Sequence, residues 1–367
     1  EIDSGTLLQA IENETTRMVR RLRGLARIVQ RDPALAAAFA ERDFERISED
    51  PLRARPATRR FRARFAALLR DFGRRNGRSF GSQTSFITPT WNLDPGVPLG
   101  LVASYATQDL DQLDRLEREA RAERVAATRA ARRLVDAASR IEFDAAAAEA
   151  RSAVVFMENH NTIMEQGVAG VMREAIWWMG HALARRGRIG QPDDALNLSL
   201  DELRAVAIGE DDRDLSALVR EREAEFARRS RLGPPRIIGK APSAGAPPAF
   251  AEGPDDAGLD GNVLRGTAAS RGRHTGRARV YAPGGPRPDV QPGDILVARN
   301  AGQDWTPVLS LLGAIVLDEG AVFQHAALVA REYRIPAVIQ TKEATTAIKD
   351  GDVITVDGGE GIVELSL

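Results

Sequence analysis

Cysteine is absent from this chain of 367 residues. Its absence excludes disulfide bonds, thiolate catalysis and zinc or iron–sulfur sites held by cysteine, and it is consistent with a reducing, cytoplasmic location. Long apolar runs are absent as well. The run VLSLLGAIVL at 308–317 is far shorter than the roughly 18 residues that a membrane-spanning helix needs. We therefore expect no membrane partner.

A charge excess of either sign is also missing. Lysine and arginine total 51 residues against 52 for aspartate and glutamate, which gives a net charge of −1. Domains that bind nucleic acid usually carry a basic excess, so no nucleic-acid partner is expected. The chain is 43% hydrophobic and long enough to form two hydrophobic cores. It begins at Glu1 and not at methionine, which favours a longer parent protein.

Residues 1–232 are rich in Ala, Arg, Leu and Glu, with apolar residues spaced three and four apart. This spacing predicts an all-α helical domain. Arginine and glutamate alternate along LDQLDRLEREARAERVAATRAARRLV at 110–135. Such alternation is typical of a solvent-exposed helix with local ion pairs, and the alternative is a basic surface for a partner. We assign this helix no function.

Residues 233–261 are dense in proline, glycine and alanine, which predicts a linker between domains. Its stretch GPPRIIGK resembles a phosphate-binding loop, but five residues separate the glycines where four are needed, and alanine follows the lysine. Any ATP must therefore bind elsewhere. From 262 to 367 short β-rich runs alternate with two helical patterns. The predicted fold class is α+β multidomain: the all-α domain followed by a compact α/β domain.

One histidine stands out in the α/β domain. The predicted strand GAIVLDEG ends at Gly320, and His325 then begins the helical pattern HAALVARE. The first turn of a helix has free backbone N–H groups and binds anions such as phosphate. Small residues, Ala326 and Ala327, follow the histidine and leave room for a phosphate donor. A histidine in this position can carry a phosphoryl group; the alternative is a histidine that only caps the helix or fills the core.

Two stretches around this histidine carry a family resemblance. GDILVARNAGQDWTPVLSLLGAIVLDEGAVFQHAALVAREYRIPAVI and GDVITVDGGEGIVEL resemble the swivelling phosphohistidine domain of the phosphoenolpyruvate-utilising enzymes. The resemblance implies that His325 is transiently phosphorylated. It implies supporting roles for Gly320, Ala326 and Arg331, with Glu332 in the same helix. Two positions depart from the family pattern, because Gln324 replaces a serine or threonine and the usual SPG turn is Ser270-Arg271-Gly272.

The order of domains resembles rifampin phosphotransferase and phenylphosphate synthase-like proteins, in which a helical acceptor-binding domain precedes the histidine domain. The chain ends at Leu367 without the barrel domain of the pyruvate-binding relatives, so pyruvate is not the expected acceptor. The segment MENHNTIMEQGVAGVMREAIWW at 157–178 resembles the family's helix that carries an acidic residue and a histidine.

Helical spacing places Phe156, His160, Ile163 and Met164 on one stripe, which is predicted to face inward. An inward histidine is either a core residue or a catalyst, and the resemblance favours His160 as the general base for an acceptor hydroxyl. Glu158, two positions away, points elsewhere on the helix. Candidate acceptor-binding residues are Glu158, Asn161, Met164 and Trp177. Trp177 and the neighbouring methionines form either an apolar pocket for an aromatic acceptor or part of a core.

We therefore expect a phosphotransferase subunit or fragment that carries a phosphoryl group on His325 to a small-molecule hydroxyl or carboxylate. ATP and Mg²⁺ are expected on an ATP-grasp-like domain, which either precedes Glu1 or belongs to a separate subunit. This chain itself is expected to hold no metal, because its four histidines are scattered without ligand spacing. Two alternatives remain. Phosphorylation could drive a dehydratase or ligase reaction, or the chain could be a non-catalytic scaffold with a degenerate histidine loop, as Gln324 suggests.

Overall fold

The computed structural model describes residues 4–75, 88–229, 257–281, 290–302, 305–322 and 324–365, together with Pro254. The predicted linker, 233–261, lies outside these residues except for Pro254 and 257–261. Helices occupy the first part of the chain and a mixed sheet the last part. The predicted α+β class with an N-terminal helical part is confirmed.

The N-terminal part contains ten α-helices among the described residues, joined by short 3₁₀ segments. They are α1 (Ser4–Leu8), α2 (Glu14–Arg31), α3 (Pro33–Ala40), α4 (Pro56–Phe72), α5 (Gly96–Ala106), α6 (Leu110–Leu134), α7 (Arg140–His160), α8 (Gly167–Arg185), α9 (Leu200–Ala207) and α10 (Ser216–Arg229). A π-helical segment, Asn161–Gln166, joins α7 directly to α8. Such segments are uncommon and occur often at functional sites.

Helix α2 is the centre of the helical part. Asn13 begins it with a capping box, in which the Asn13 side chain accepts from the Thr16 backbone N–H and the Thr16 hydroxyl accepts from the Asn13 N–H. Its buried apolar residues, among them Met18, Leu22 and Leu25, pack against α3, α4 and α5. The N-terminal turns of α2 are thereby fixed next to α7, where Asn159 Oδ1 accepts from the Glu14 N–H at 2.8 Å.

The C-terminal part forms a nine-stranded sheet in the order β1-β2-β9-β8-β4-β5-β6-β7-β3. Its strands are β1 (Gly258–Asp260), β2 (Val263–Arg265), β3 (Thr267–Ser270), β4 (Arg273–Tyr281), β5 (Ile295–Ala298), β6 (Ala314–Leu317), β7 (Ala337–Ile339), β8 (Val353–Asp357) and β9 (Ile362–Leu365). Three short helices accompany them, α11 (Thr306–Leu309), α12 (His325–Glu332) and α13 (Ala344–Ala347). Residues 258–260, which we had predicted as linker, are strand β1 because they pair antiparallel with β2.

Strands β4 to β7 run parallel, and every residue of β5, β6 and β7 is buried. Parallel strands are covered on both faces, which explains their unbroken apolar sequences. Helix α12 packs beside α11 and β3 on one face of this sheet. The first residue of α12 is His325, so this histidine lies at the N-terminal end of a helix that packs on the sheet.

The two parts pack against each other through a continuous core. One cluster of buried residues combines Val19 of α2 with Leu309 of α11 and Val329 of α12. Polar contacts surround it: Arg23 donates to the Tyr333 hydroxyl at 2.9 Å, and Arg334 pairs with Glu123 at 2.7 Å. This arrangement presents α12 to the N-terminal turns of α2 and to α7. Among the described residues, no helix has the length and apolar character needed to cross a lipid bilayer.

Candidate active site

His325 is the first residue of α12, as its sequence position predicts. Strand β6 ends at Leu317, and the chain turns through Gly320, whose φ of +142° is a conformation that side-chain-bearing residues rarely adopt. Gln324 then precedes the helix with extended φ and ψ angles. The histidine ring therefore stands at the helix end where backbone N–H groups are free.

Gln324 occupies the N-cap position, but its side chain makes no capping hydrogen bond to the helix. Its Oε1 instead accepts from the Ala321 N–H at 3.2 Å. A Cβ at Gly320 would lie 3.0 Å from the same oxygen, which could shift, so it is the φ of +142° that calls for glycine here. With Oε1 used in this way, the amide N–H groups are the donors that Gln324 has left for a phosphate.

Arg331 and Ala326 hold the helix in place. The Arg331 guanidinium donates to the Val322 carbonyl at 2.6 Å and to the Ala269 carbonyl of β3 at 2.9 Å. Arg331 thus ties the loop before His325 to the sheet. Ala326 and Ala327 are both buried in the core. The expectation that these small residues leave room beside the ring for a donor stays a prediction.

The helical part supplies a partner for His325 that sequence reasoning missed. Glu158 of α7 places its Oε1 3.0 Å from Nδ1 of His325, across 167 positions of sequence. Both side chains are nearly sealed from solvent, at 10% exposure for Glu158 and 11% for His325. We had predicted that Glu158 points away from the site because it lies two positions from His160. The structure shows that Glu158 is on the buried face of α7 and His160 is not.

A small cavity of about 30 Å³ surrounds this contact. It is lined by residues of α2, α7 and α12, among them Thr15, Val154, Leu328 and Glu332. One water needs roughly 10–15 Å³ measured in this way. The cavity therefore has room for about two or three waters and no more.

Glu332 is a second carboxyl group near His325. It lies two helical turns further along α12, and its Oε1 accepts from the Ala10 N–H at 2.5 Å. Burial raises the pKa of Glu332 to about 7, while the Ala10 N–H and the nearby His325 oppose the shift and the charges of Glu117 and Glu158 add to it. A carboxyl group that changes its charge near neutral pH thus lies beside the histidine.

His160 does not face inward, contrary to our prediction. Its side chain is 45% exposed, its Nδ1 lies 3.5 Å from Oε1 of Glu165, and it is not among the residues that line the His325 cavity. The stripe to which it belongs is exposed as well, including Phe156 and Ile163. The buried side carries Glu158 of α7 and Arg173 of α8, with Gln166 in the π-helical segment between them. The buried side therefore combines these polar residues with small and apolar ones such as Ala169 and Leu183.

The apolar pocket predicted around Trp177 is not formed as expected. Met164, Met172 and Trp178 are exposed, and Trp177 is only partly buried, with its ring centroid 3.9 Å from that of His181. Asn161 begins the π-helical segment, and its side chain lies outside the description. Of the three acceptor-binding candidates whose side chains are described, Glu158 is the one that the fold brings to His325.

Two other sequence predictions concern histidine and metal. His274 lies in β4, and its Nε2 is 2.8 Å from the Gly293 carbonyl oxygen, a contact within the C-terminal part. Among the described residues, there is no group of three or more His, Cys, Asp or Glu side chains that could hold a metal ion.

Comparison with protein families finds two matching segments. Residues 290–361 match the mobile domain of the phosphoenolpyruvate-utilising enzymes, and residues 3–159 match the fourth domain of rifampicin phosphotransferase. The first segment contains His325 and the second contains Glu158. The two residues that meet in the structure therefore come from the two segments that match.

Similar proteins include three with named activities. A chondramide synthase from Chondromyces crocatus is 32% identical over 99% of this chain and 10% of its own length. A rifampicin phosphotransferase from Streptomyces is 35% identical over 53% of this chain and 22% of its own length. The phosphoenolpyruvate synthase of Aeropyrum pernix is 43% identical over 30% of this chain and 14% of its own length. The chain spans less than a quarter of each of these relatives.

Proposed function

We propose that this chain, which belongs to the phosphoenolpyruvate-utilising family of phosphotransferases, carries a phosphoryl group on His325 to an acceptor bound at the helical part. The proposal rests mainly on the contact between His325 Nδ1 and Glu158 Oε1, which turns the histidine of one part toward a buried carboxylate of the other. A histidine that served only the core of its own domain would not need such a partner.

The contact also indicates which ring nitrogen reacts. An ionised carboxylate only accepts hydrogen bonds, so Nδ1 carries the proton and donates to Glu158. Nε2 is then the ring nitrogen that carries the phosphoryl group when His325 meets the helical part. Glu158 is thereby a positioning residue for the transfer step, since it sets the tautomer and the orientation of the ring there.

Transfer proceeds in two displacements. First, Nε2 attacks a phosphorus of the donor nucleotide; the P–N bond forms as the bond to the leaving phosphate oxygen breaks, and that oxygen keeps the electron pair. Second, the acceptor oxygen attacks the same phosphorus, and the P–N electron pair returns to Nε2. A hydroxyl acceptor must also lose its proton in this step.

Glu158 is not placed to take that proton, because it contacts Nδ1 and the acceptor oxygen attacks in line with the bond to Nε2, on the other side of the ring. Its Oε1 is engaged with His325, whereas its Oε2 is buried and has no hydrogen-bond partner among the described residues. A buried carboxylate oxygen without a partner is costly, and a water in the cavity would supply the missing donor. Glu158 therefore keeps the role of a positioning residue, and the general base is another group.

The two parts pack closely around His325 in this structure. The cavity of about 30 Å³ at His325 is too small for a phosphoryl group and an acceptor together. Charging of His325 and entry of the acceptor therefore require the C-terminal part to move away from the helical part. ATP with Mg²⁺ would be bound by an ATP-grasp-like domain or subunit, and when bound it would supply the phosphoryl group.

The first test is intact-mass analysis of the full-length protein after incubation with ATP and Mg²⁺. We expect an acid-labile gain of one phosphoryl group on the wild type and on the control variant His181→Ala, and none on His325→Ala. Glu158→Gln should be charged at the wild-type rate, because charging takes place away from the helical part. No gain on the wild type, with ATP hydrolysis still measurable, would support the scaffold alternative.

A second candidate function uses the phosphoryl group only to activate the acceptor, so that phosphate then leaves in a dehydration or ligation. The match over 99% of this chain to a segment of a chondramide synthase favours it. Product analysis separates the two functions. A product that retains phosphate supports transfer, whereas free phosphate released with each product molecule supports activation.

A further inference from the structure

Within the described part of the chain, most arginines of α6 lack the local ion pairs that the sequence pattern predicts. Arg115, which pairs with Asp109 at 3.6 Å, is the exception. The acidic residues of α6 pair with other elements: Glu117 contacts Arg20 at 2.5 Å and Arg23 at 3.2 Å, both on α2. Glu119 and Glu123 both pair with Arg334 of the C-terminal part, at 3.1 and 2.7 Å. The prediction of a helix laced by its own ion pairs is therefore wrong for this stretch.

Three arginines are left on one face of α6 as a result. Arg118, Arg121 and Arg124 are spaced three apart, and none of them forms an ion pair within the part of the chain that the structure describes. Helix α7 packs alongside α6, with Arg132 and Asp144 in contact at 2.9 Å between them. It brings a fourth arginine, Arg151, to Arg124.

The charges of these arginines act on one another. Burial together with the positive charges of Arg151 and Arg121 lowers the pKa of Arg124, while the charge of Glu332 opposes the shift only in part. The Nε of Arg124 is buried and has no hydrogen-bond partner among the described residues. A cluster of like charges with an unpaired buried donor is unfavourable in the free protein, and a bound anion would relieve both costs.

The arginines open into a cleft of about 480 Å³. This volume is in the range of sites for small ligands. Three acidic residues, Glu12, Asp114 and Glu117, also line it, but each is paired with an arginine of α2. The charge that remains for a ligand is therefore positive.

The cleft lies next to the His325 cavity. Ile11, in the connection between α1 and α2, lines both of them. Its neighbour Ala10 lines the cleft and donates to Glu332 on the other side. The connection at 9–13 is thus the wall that separates the arginine cleft from the histidine.

We propose that this cleft binds a phosphate-bearing ligand, either free phosphate or a phosphate monoester, through Arg118, Arg121 and Arg124 with Arg151 behind them. Guanidinium groups match phosphate oxygens in pairs and stay charged at all relevant pH values, which makes arginine suited to this ligand class. The site is distinct from His325, and its binding does not depend on phosphorylation of that histidine.

Isothermal titration calorimetry of the full chain with inorganic phosphate, and separately with AMP, tests the proposal at constant ionic strength set by chloride. We expect saturable binding of one ligand per chain. Arg121→Gln and Arg124→Gln should each weaken binding by about tenfold or more, since each removes a charged hydrogen-bond donor. Arg129→Gln, an exposed arginine of α6 that does not line the cleft, is the matched control and should bind like the wild type.

Further outcomes identify the ligand and separate this site from the proposed phosphotransfer. Equal affinities for phosphate and AMP mean that the site reads only the phosphate group, and tighter binding of AMP means a nucleotide; both support the proposal. His325→Ala should bind as the wild type does, even if His325 is never phosphorylated. An absence of saturable heat, or an equal loss in Arg129→Gln, would overturn the proposal as nonspecific charge attraction.

A stability measurement guards against a folding artefact. Without ligand, Arg124→Gln should be at least as stable to heat as the wild type, because the substitution removes repulsion from Arg121 and Arg151. Arg124→Lys keeps the charge and loses the planar donors, so it should retain part of the affinity. A Lys variant that binds no better than the Gln variant, while folded, would argue against a charged phosphate contact at Arg124.

Discussion

Strands β5 and β6 and the paired helices α7 and α8 show how differently a sequence pattern can translate into burial. Both strands are apolar runs, and every residue in them is buried. The helices also carry a clear apolar stripe, yet this stripe is exposed, and the opposite face with Glu158, Gln166 and Arg173 is buried. An apolar pattern therefore predicted the buried residues correctly in the strands and incorrectly in the helices.

The difference follows from how each element can be covered. A parallel strand inside a sheet is covered on both faces, so every residue of an apolar run is buried whichever face it points to. A helix buries one face, and its periodicity identifies the stripes without stating which of them has a partner. A polar side chain can be buried when a partner meets part of it, as Asp193 does for Nη2 of Arg173 at 2.7 Å and His325 for Oε1 of Glu158.

The largest effect that tests this comparison is expected in the sheet. Ile315 of β6 is fully buried, so Ile315→Ala removes packed methyl groups and leaves a cavity. We expect a loss of about 2–5 kcal/mol in the free energy of unfolding of the C-terminal part, measured by urea denaturation. A loss below about 1 kcal/mol would mean that this strand is not packed as the structure has it.

An effect of intermediate size on stability is expected at Glu332 of α12, which contacts Ala10 of the N-terminal part. In the unfolded chain this carboxyl group ionises near its ordinary pKa of 4.5, whereas in the folded protein the pKa is about 7. Between these values the folded protein holds the extra proton, so stability falls as pH rises, by at most about 3 kcal/mol. Glu332→Gln cannot ionise and should lack this component of the pH dependence.

The measurement for Glu332 is urea denaturation of both proteins at pH 4.5, 6 and 8. Below pH 4.5 the group is protonated in both states of the wild type, so the difference between wild type and variant should be smallest there. The variant should gain relative to the wild type as the pH rises. A difference that stays constant across this range would show that Glu332 ionises normally in the folded protein.

The smallest effect is expected on the apolar stripe. Ile163 is 58% exposed, so Ile163→Ala is chemically the same substitution as Ile315→Ala at an exposed position. We expect a change within about 0.5 kcal/mol in the same denaturation assay. A loss as large as that of Ile315→Ala would break the comparison, because it would mean that the stripe is covered in solution.

Much of the C-terminal part could be predicted from its residues. The β-rich runs became strands, and the loop after GAIVLDEG delivered His325 to the start of α12, because glycine and the strand-to-helix change act locally. The helical class of the N-terminal part followed from residue spacing in the same way. Strand β1 was missed because three residues beside a proline-rich stretch carry little pattern, and only pairing with β2 makes them a strand.

The sequence predicted one of the two residues that meet in the candidate site. His325 was identified from its position at the start of a helix, whereas Glu158 was assigned to the wrong face of α7. One signal was available: Val154, Glu158 and Thr162 recur at a spacing of four, and this polar-containing stripe is as regular as the apolar one. Nothing in the sequence of α7 says that the stripe with the carboxylate is the one that meets another domain. The arginine cleft was missed for a related reason. The sequence pattern predicted that the glutamates of α6 pair with arginines of the same helix, whereas in the structure they pair with other elements.

The sequence by itself determined the elements, the all-helical first part, the sheet of the second part and the histidine at a helix start. These depend on φ/ψ preferences and on the spacing of apolar residues within a few positions. Tertiary structure alone decided which face of α7 is buried, which carboxylate meets His325 and which arginines remain unpaired. Those outcomes depend on contacts such as the one between Glu158 and His325, 167 positions apart. The free energy of burying a polar group is set by its partner, and no local pattern contains that partner.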